Sequence, residues 1–294
     1  MPSGNQRGWT RRQVLGAGAA AAASGVFAVG TSRLMAAPRR EGDADYGPFK
    51  VGLQSYSLRG YETGGKADRA KALAVTRELG LHHWEAFPAH VPLTQDETVI
   101  KTMKSEFEAA GIHLGGYGVV PLGKDEAADR KIFEFARALG ISYISADPDP
   151  DGFALVDKLV DEYNIPVGIH NHGPGHRFAL IDTIAKAIKD HSPKIGCCID
   201  TGHFLRSKED PVRAVEVFGD RIYGVHLKDV KDAETFTILG RGDLRTDALL
   251  KALADRKYAF NLALEYEEKP EDPVEDIKAC LAALKKSAAT LATA

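Results

Sequence analysis

Short apolar runs recur along the chain from about residue 50. Each is followed by a polar loop and then by a stretch with apolar positions at helical spacing. The apolar runs predict strands over Val51–Ser55, His83–Phe87, His113–Tyr117, Ser142–Ala146, Val167–His170, Gly196–Ile199, Tyr223–Leu227 and Asn261–Tyr266. The periodic stretches between them predict helices over Ala67–Leu79, Asp96–Ala110, Asp125–Leu139, Phe153–Tyr163, Ala179–Asp190, Asp210–Phe218, Thr246–Asp255 and Pro273–Leu284. Gly80, Gly111, Gly140 and Gly219 stand where a helix C-terminus favours glycine. Strands alternating with helices pair in parallel. Eight such units in about 250 residues fit an α/β chain folded as a single-domain (β/α)8 TIM barrel over residues 50–290. A doubly wound open sheet fits less well, because no glycine-rich phosphate loop follows the first strand.

Side-chain alternation supports closure. In Val167-Gly168-Ile169-His170-Asn171-His172 the branched residues share one face, and Gly168, His170 and His172 share the other. Gly224-Val225-His226-Leu227-Lys228 and Asn261-Leu262-Ala263-Leu264-Glu265 divide in the same way. The large aliphatics are then expected under the outer helices, and the small and polar residues inside the barrel with an ionisable group at its mouth.

Residues 1–37 stand apart from this pattern. Thr10-Arg11-Arg12-Gln13-Val14-Leu15, followed by an Ala/Gly-rich run from Gly16 to Gly30, resembles a twin-arginine export signal. It implies the export machinery as a partner and a periplasmic or secreted location. Cleavage near Ala36 or Ala37 would put Leu34 or Met35 where a small residue is expected, so an uncleaved anchor remains an alternative. Residues 38–49 are charged and unpatterned and read as a linker. Composition is that of a globular protein, 44% apolar and 27% charged in 294 residues, and three cysteines make no disulfide framework. Residues 1–37 hold four Arg and no acid, so the formal charge of −3 becomes −7 without them. An acidic chain without a basic block lacks the footprint of a nucleic-acid binder.

The candidate chemistry gathers at strand ends. Ile195-Gly196-Cys197-Cys198-Ile199 runs into Asp200, a carboxylate that needs a partner if buried. His170, His226 and Glu265 end neighbouring strands at equivalent depth, so the four side chains are expected to converge as ligands of one divalent metal. An N/O set suits Mn, Mg, Co, Zn or Fe(II). His172 shares a face with His170 and suits a general acid or base. Lys228 would hold a ligand oxygen or neutralise an enolate, unless it only pairs with Asp229 or Glu265. His203 follows Asp200 within substrate reach. Asp147 in Ala146-Asp147-Pro148 would be a fifth ligand, a base or a turn former. Glu85 faces inward and could bind hydroxyls; Trp84, Phe87 and Tyr117 could wall a sugar ring or belong to the core. Arg177 and Arg241, on Gly-bearing loops after strands five and seven, are candidate substrate contacts.

These residues carry a family likeness. Ile199-Asp200-Thr201-Gly202-His203, Val225-His226-Leu227-Lys228-Asp229 and Leu264-Glu265, in this order, resemble the xylose-isomerase-like barrel superfamily over residues 50 to 285. That group includes sugar phosphate isomerases and epimerases, ketose 3-epimerases, inosose and 3-dehydroshikimate dehydratases and, remotely, endonuclease IV. The resemblance implies a metal-dependent isomerase or epimerase of a small carbohydrate, with proton abstraction beside a carbonyl by His172 or Glu265. A lyase or dehydratase acting on a keto-sugar, keto-glycoside or keto-cyclitol is the alternative, and a non-catalytic sugar-binding barrel a third. His170 stands where ketose epimerases present glutamate, which weakens a two-carboxylate mechanism. Barrels of this type often pair, so a homo-oligomer stays open.

Overall fold

The structure, a computed structural model, describes residues 43–292. The export signal, its cleavage site and residues 38–42 of the linker read from the sequence lie outside the described residues. Eight strands close into a parallel barrel: β1 Lys50–Gln54, β2 His83–Ala86, β3 His113–Leu122, β4 Tyr143–Pro148, β5 Val167–His170, β6 Ile195–Asp200, β7 Ile222–Leu227 and β8 Asn261–Leu264. Each pairs with its neighbours in sequence, and β8 returns to β1 through Lys50↔Asn261 and Leu53↔Leu264. The helices outside are α1 Arg69–Glu78, α2 Glu97–Ala110, α3 Glu126–Leu139, α4 Phe153–Tyr163, α5 Ile181–Ile188, α6 Thr201–Arg206, α7 Pro211–Phe218, α8 Thr246–Asp255 and α9 Val274–Ala289. Among the described residues no helix is long and apolar enough to cross a membrane.

Local chemistry sets the helix ends. Asp68, Asp96, Asp125 and Asp210 each accept a backbone N–H in the first turn of the helix that follows. Gly111 and Gly140 close α2 and α3 in the left-handed conformation. Three features depart from the expected pattern. β3 runs on to Leu122 because Val120 and Pro121 continue the ladder with Ala146 and Asp147. β8 stops at Leu264: the Glu265 N–H still reaches Leu227 O, but the Tyr266 N–H turns away to Ser57 Oγ. Two small antiparallel hairpins, Glu62–Thr63 with Lys66–Ala67 and Asp229–Lys231 with Thr235–Thr237, interrupt the loops after β1 and β7.

The barrel interior is filled by pairing large residues with glycine. The Tyr143 ring crosses the interior, where a Cβ on Gly116 would lie 2.4 Å from it and one on Gly224 2.9 Å. The aliphatics Val167, Ile169, Ile199, Val225, Leu262 and Leu264 are buried in the hydrophobic core, as the alternation predicts. Covering one of their side chains stabilises the fold by roughly 1.5–3 kcal/mol.

Candidate metal centre at the barrel mouth

Asp200 ends β6 and caps α6, and the two tasks fix its carboxylate. Oδ1 accepts the His203 N–H at 2.8 Å. The Asp200 N–H donates to Asn171 Oδ1 at 2.7 Å, and its carbonyl accepts from Asn171 Nδ2 at 2.9 Å. Oδ2 is left facing the barrel axis in a fully buried position, 3.3 Å from His170 Nε2, 4.0 Å from His226 Nδ1 and 2.9 Å from Lys228 Nζ. Burial opposes charge on this group, yet Lys228, His203 and His170 hold its carboxyl well below the ordinary carboxylate range.

His226 is oriented from beneath. Its Nε2 lies 2.8 Å from Glu85 Oε1, and Glu85 accepts three more hydrogen bonds, from Tyr143 Oη, Ser145 Oγ and Gln54 Nε2. Burial would raise the Glu85 pKa, but His226, Ser145 and Tyr143 lower it. A carboxylate holding the far nitrogen of an imidazole is the arrangement that orients a metal-binding histidine. His226 Nδ1 therefore faces the cluster, 3.0 Å from Glu265 Oε2 and 3.0 Å from His170 Nε2. Burial pushes the His170 imidazole down to about 3, against the pull of Asp200. For His226 burial acts the same way, but Cys198, Glu85 and Glu265 outweigh it and raise the pKa well above the ordinary value. A cation bound at these nitrogens needs them free of protons, so metal binding and protonation of the pair are linked.

The four predicted ligands do converge. His170, Asp200, His226 and Glu265 each offer an atom within 4.8 Å of the others, and all four are buried. A tetrahedral ion with ligands at about 2.0–2.1 Å separates them by about 3.3 Å; the pairs here stand at 3.0, 3.0, 3.3 and, for Asp200 with His226, 4.0 Å. Asp200 Oδ2 and Glu265 Oε2 are buried without a well-formed hydrogen bond. Their counter-charge is the Lys228 ammonium, 2.9 Å from the first, 3.0 Å from the second and also paired with Glu267. The cluster fits a divalent cation.

Other predicted residues fall elsewhere. Trp84 is buried on the outer face of β2, donating its indole N–H to Thr76 of α1 and packing on Phe107 of α2. Tyr117 packs outward on Phe135 of α3. Both belong to the barrel–helix interface, because Glu85 occupies the inward position next to Trp84. Glu85 is itself fully buried under His226, so it orients that ring and cannot reach substrate hydroxyls. Asp147 is held by Arg177 at 2.7 Å and His176 at 3.4 Å, outside the four-residue cluster. Asp147, His172 and His176 form a second close group, but His176 Nδ1 accepts the Phe178 N–H, which leaves the ring proton on Nε2 towards Asp147. Arg241 lies near Asp276 and Cys280 of α9. His172 Nδ1 lies 2.8 Å from His170 Nδ1, so it steadies that ring from the side.

A cavity of about 260 Å³ opens above the cluster, reached by His170, His203, Lys228 and Glu265. His203 lines the chamber while its Nδ1 is buried towards Gly173 without a hydrogen bond, and burial lowers its pKa below the ordinary histidine value. The opposite wall comes from the first three strands: Gln54, Tyr56, Phe87 and Gly118. Of these only Phe87 was expected. Gln54 ends its strand as His170 and Asp200 end theirs, and Glu267 follows Glu265 at the spacing that links His226 to Lys228, so both carried a readable signal.

A sequence model of the xylose isomerase-like TIM barrel family matches residues 73–287. The chain is 28% identical to an inosose dehydratase of Clostridium tetani over 138 residues, 40% of this chain and 46% of that one. It is 28% identical to a 3-oxo-isoapionate decarboxylase of Pectobacterium atrosepticum over 151 residues, 45% of this chain and 54% of the relative. The chain thus spans about half the length of these two relatives. Among solved structures, a protein of Parabacteroides distasonis superposes with a TM-score of 0.63 at 27% identity, over 81% of this chain and 99% of the other.

Proposed function

Because the chain belongs to the xylose isomerase-like TIM barrel family, we propose that it is a divalent-metal-dependent isomerase or epimerase of a keto-sugar. The observation that carries this reading is the convergence of His170, Asp200, His226 and Glu265 under a chamber of sugar size. The bound cation would act as a Lewis acid on the substrate carbonyl. Mn, Mg, Co, Zn and Fe(II) all suit the donor set.

The chain's own residues account for the rest. His203, which lines the chamber and whose pKa burial lowers, takes the proton from the carbon beside the carbonyl. The Lys228 ammonium, kept charged by Asp200 and Glu265 despite burial, stands where negative charge develops on substrate oxygen. Glu85 and His172 hold the rings of His226 and His170 in place. Tyr56 and Phe87 cover the open side and limit water. Return of the proton to the neighbouring carbon gives isomerisation. Loss of an oxygen substituent from the next carbon gives elimination, and this lyase reading is favoured by the dehydratase named above. Residues 1–37 would carry the chain out of the cytoplasm by the twin-arginine route.

The test is solvent-deuterium exchange into a panel of keto-sugars by metal-loaded protein, with product analysis to separate isomerisation from elimination. His203→Ala is expected to keep metal and lose exchange by about 100-fold or more, whereas Asp200→Ala and His226→Ala lose metal. Absence of exchange with every keto-sugar would refute the carbon-acid reading.

A further inference from the structure

The mouth of the barrel does not end at the chamber above the ligands. A second cavity of about 620 Å³ adjoins it and shares Tyr56 and Phe87 as lining residues. These two rings meet edge to face with centroids 5.0 Å apart and form the wall common to the two chambers. The hairpin Glu62–Ala67, which the strand–helix pattern did not foresee, supplies the outer wall through Glu62, Lys66 and Ala67.

A hexose ring occupies on the order of 200 Å³, taking about half the ~30 Å³ liquid share of a water for each non-hydrogen atom. The inner chamber, at about 260 Å³, therefore holds one ring and little more. The outer chamber is more than twice as large and lies within the usual range of ligand pockets, roughly 300–1,000 Å³. We infer that the substrate is a glycoside of at least two sugar rings, with the reacting keto ring in the inner chamber and a second ring lying across the Tyr56–Phe87 wall in the outer one. The inference rests on the carbon-acid reading above and adds the substrate's size to it.

The lining suits a second sugar better than an apolar group. Phe87 offers an aromatic surface for the C–H side of a pyranose, while Tyr56 is covered by Arg59. Arg59, Lys66, Arg69 and Glu62 offer donors and an acceptor for hydroxyls. Both guanidinium groups are held in position. Arg59 stacks over Tyr56 at 4.3 Å and donates to the Glu267 carbonyl, and Arg69 pairs with Glu106 and donates to the His90 carbonyl. Since Glu267 also pairs with Lys228, Arg59 ties the outer chamber to the reacting one.

The experiment is calorimetric titration of the metal-loaded full chain with D-fructose and with its glucosyl and galactosyl derivatives turanose, lactulose, leucrose and palatinose. These share a carbonyl-bearing fructose unit and differ in where the second ring is attached. At least one is expected to bind about tenfold or more tighter than fructose. Ala67→Trp, on the exposed hairpin, fills the outer chamber and should reduce that preference to about twofold or less. Lys66→Glu is a second variant that tests the same chamber by charge. Fructose binding as tightly as every two-ring sugar, no binding of any two-ring sugar, or a preference that survives both substitutions would overturn the inference. Deuterium exchange into the same sugars keeps the two readings apart. Exchange without a two-ring preference removes this inference alone, and a two-ring preference without exchange removes the carbon-acid reading alone.

Discussion

Lys228 gives the sharpest test of the electrostatics of the mouth. Its ammonium is 3% exposed and stands 2.9 Å from Asp200 Oδ2 and 3.0 Å from Glu265 Oε2, with Glu267 also bound. At an effective dielectric of about 20, each contact near 3 Å contributes about 5 kcal/mol of attraction, against which desolvation of the ammonium costs several kcal/mol. Lys228→Met keeps most of the bulk and removes the charge. Breaking a buried ion pair by deleting one partner costs about 3–5 kcal/mol. For a domain of this size that is roughly 6–20 °C in Tm. The Glu265 carboxyl, which burial would raise but Lys228 and His226 hold down to about 2, loses its first support. A divalent cation would compensate the same oxygens. Chelator-treated Lys228→Met should therefore melt well below the parent, and Mn addition should raise its Tm by more than it raises the parent's. Melting followed by circular dichroism with and without Mn decides the matter. A chelated variant that melts within about 2 °C of the parent, or an equal response to Mn in the two proteins, would show that Lys228 does not share the cation's oxygens.

Two further outcomes follow from groups away from the ligands. Burial, with help from Arg69, pushes the His90 imidazole from 6.5 to about 4, so the folded state binds the proton less readily than the unfolded chain. The stability this group contributes is complete above pH 6.5 and is lost as pH falls through about 4, with about 2 kcal/mol gone by pH 5. Urea titrations of the parent and His90→Asn at pH 7 and pH 5 should differ by that increment, and equal pH dependence would exclude it. Asp229 accepts the N–H groups of Val230, Gly240, Gly242 and Leu244. Asp229→Ala strands several buried donors and should cost roughly 3–6 kcal/mol in a urea titration, with faster proteolysis between residues 230 and 244; unchanged stability would mean that solvent replaces the carboxylate.

Period-two alternation revealed the closed barrel and its ligands because both depend on which face of a strand a residue occupies. It assigned Val167 and Ile169 outward and His170 inward, and the same rule applied to β2 would have excluded Trp84 once Glu85 was placed inside. Alternation does not report height along the barrel axis. Strand tilt and stagger set that, which is why Glu85 proved to lie under His226 rather than beside the ligands. Nor does it report which neighbour claims a ring nitrogen: His172 is turned to His170, and His203 is left to face the chamber. The Glu62–Ala67 hairpin escaped notice because its two-residue strands are too short to show a period.

The mouth is divided between two groups of strands. Every candidate ligand follows from β5 to β8, whereas Gln54, Tyr56, Phe87 and Gly118 come from β1 to β3. Gln54 and Glu85 of the first arc support His226 from beneath, and β1 pairs with β8, so that support has to be kept when the lining residues Tyr56 and Phe87 are changed. Loops exchanged on the first arc should redirect which molecule is recognised while the reactive apparatus persists. Selectivity and chemistry in this barrel can therefore be inherited, or engineered, as separate modules.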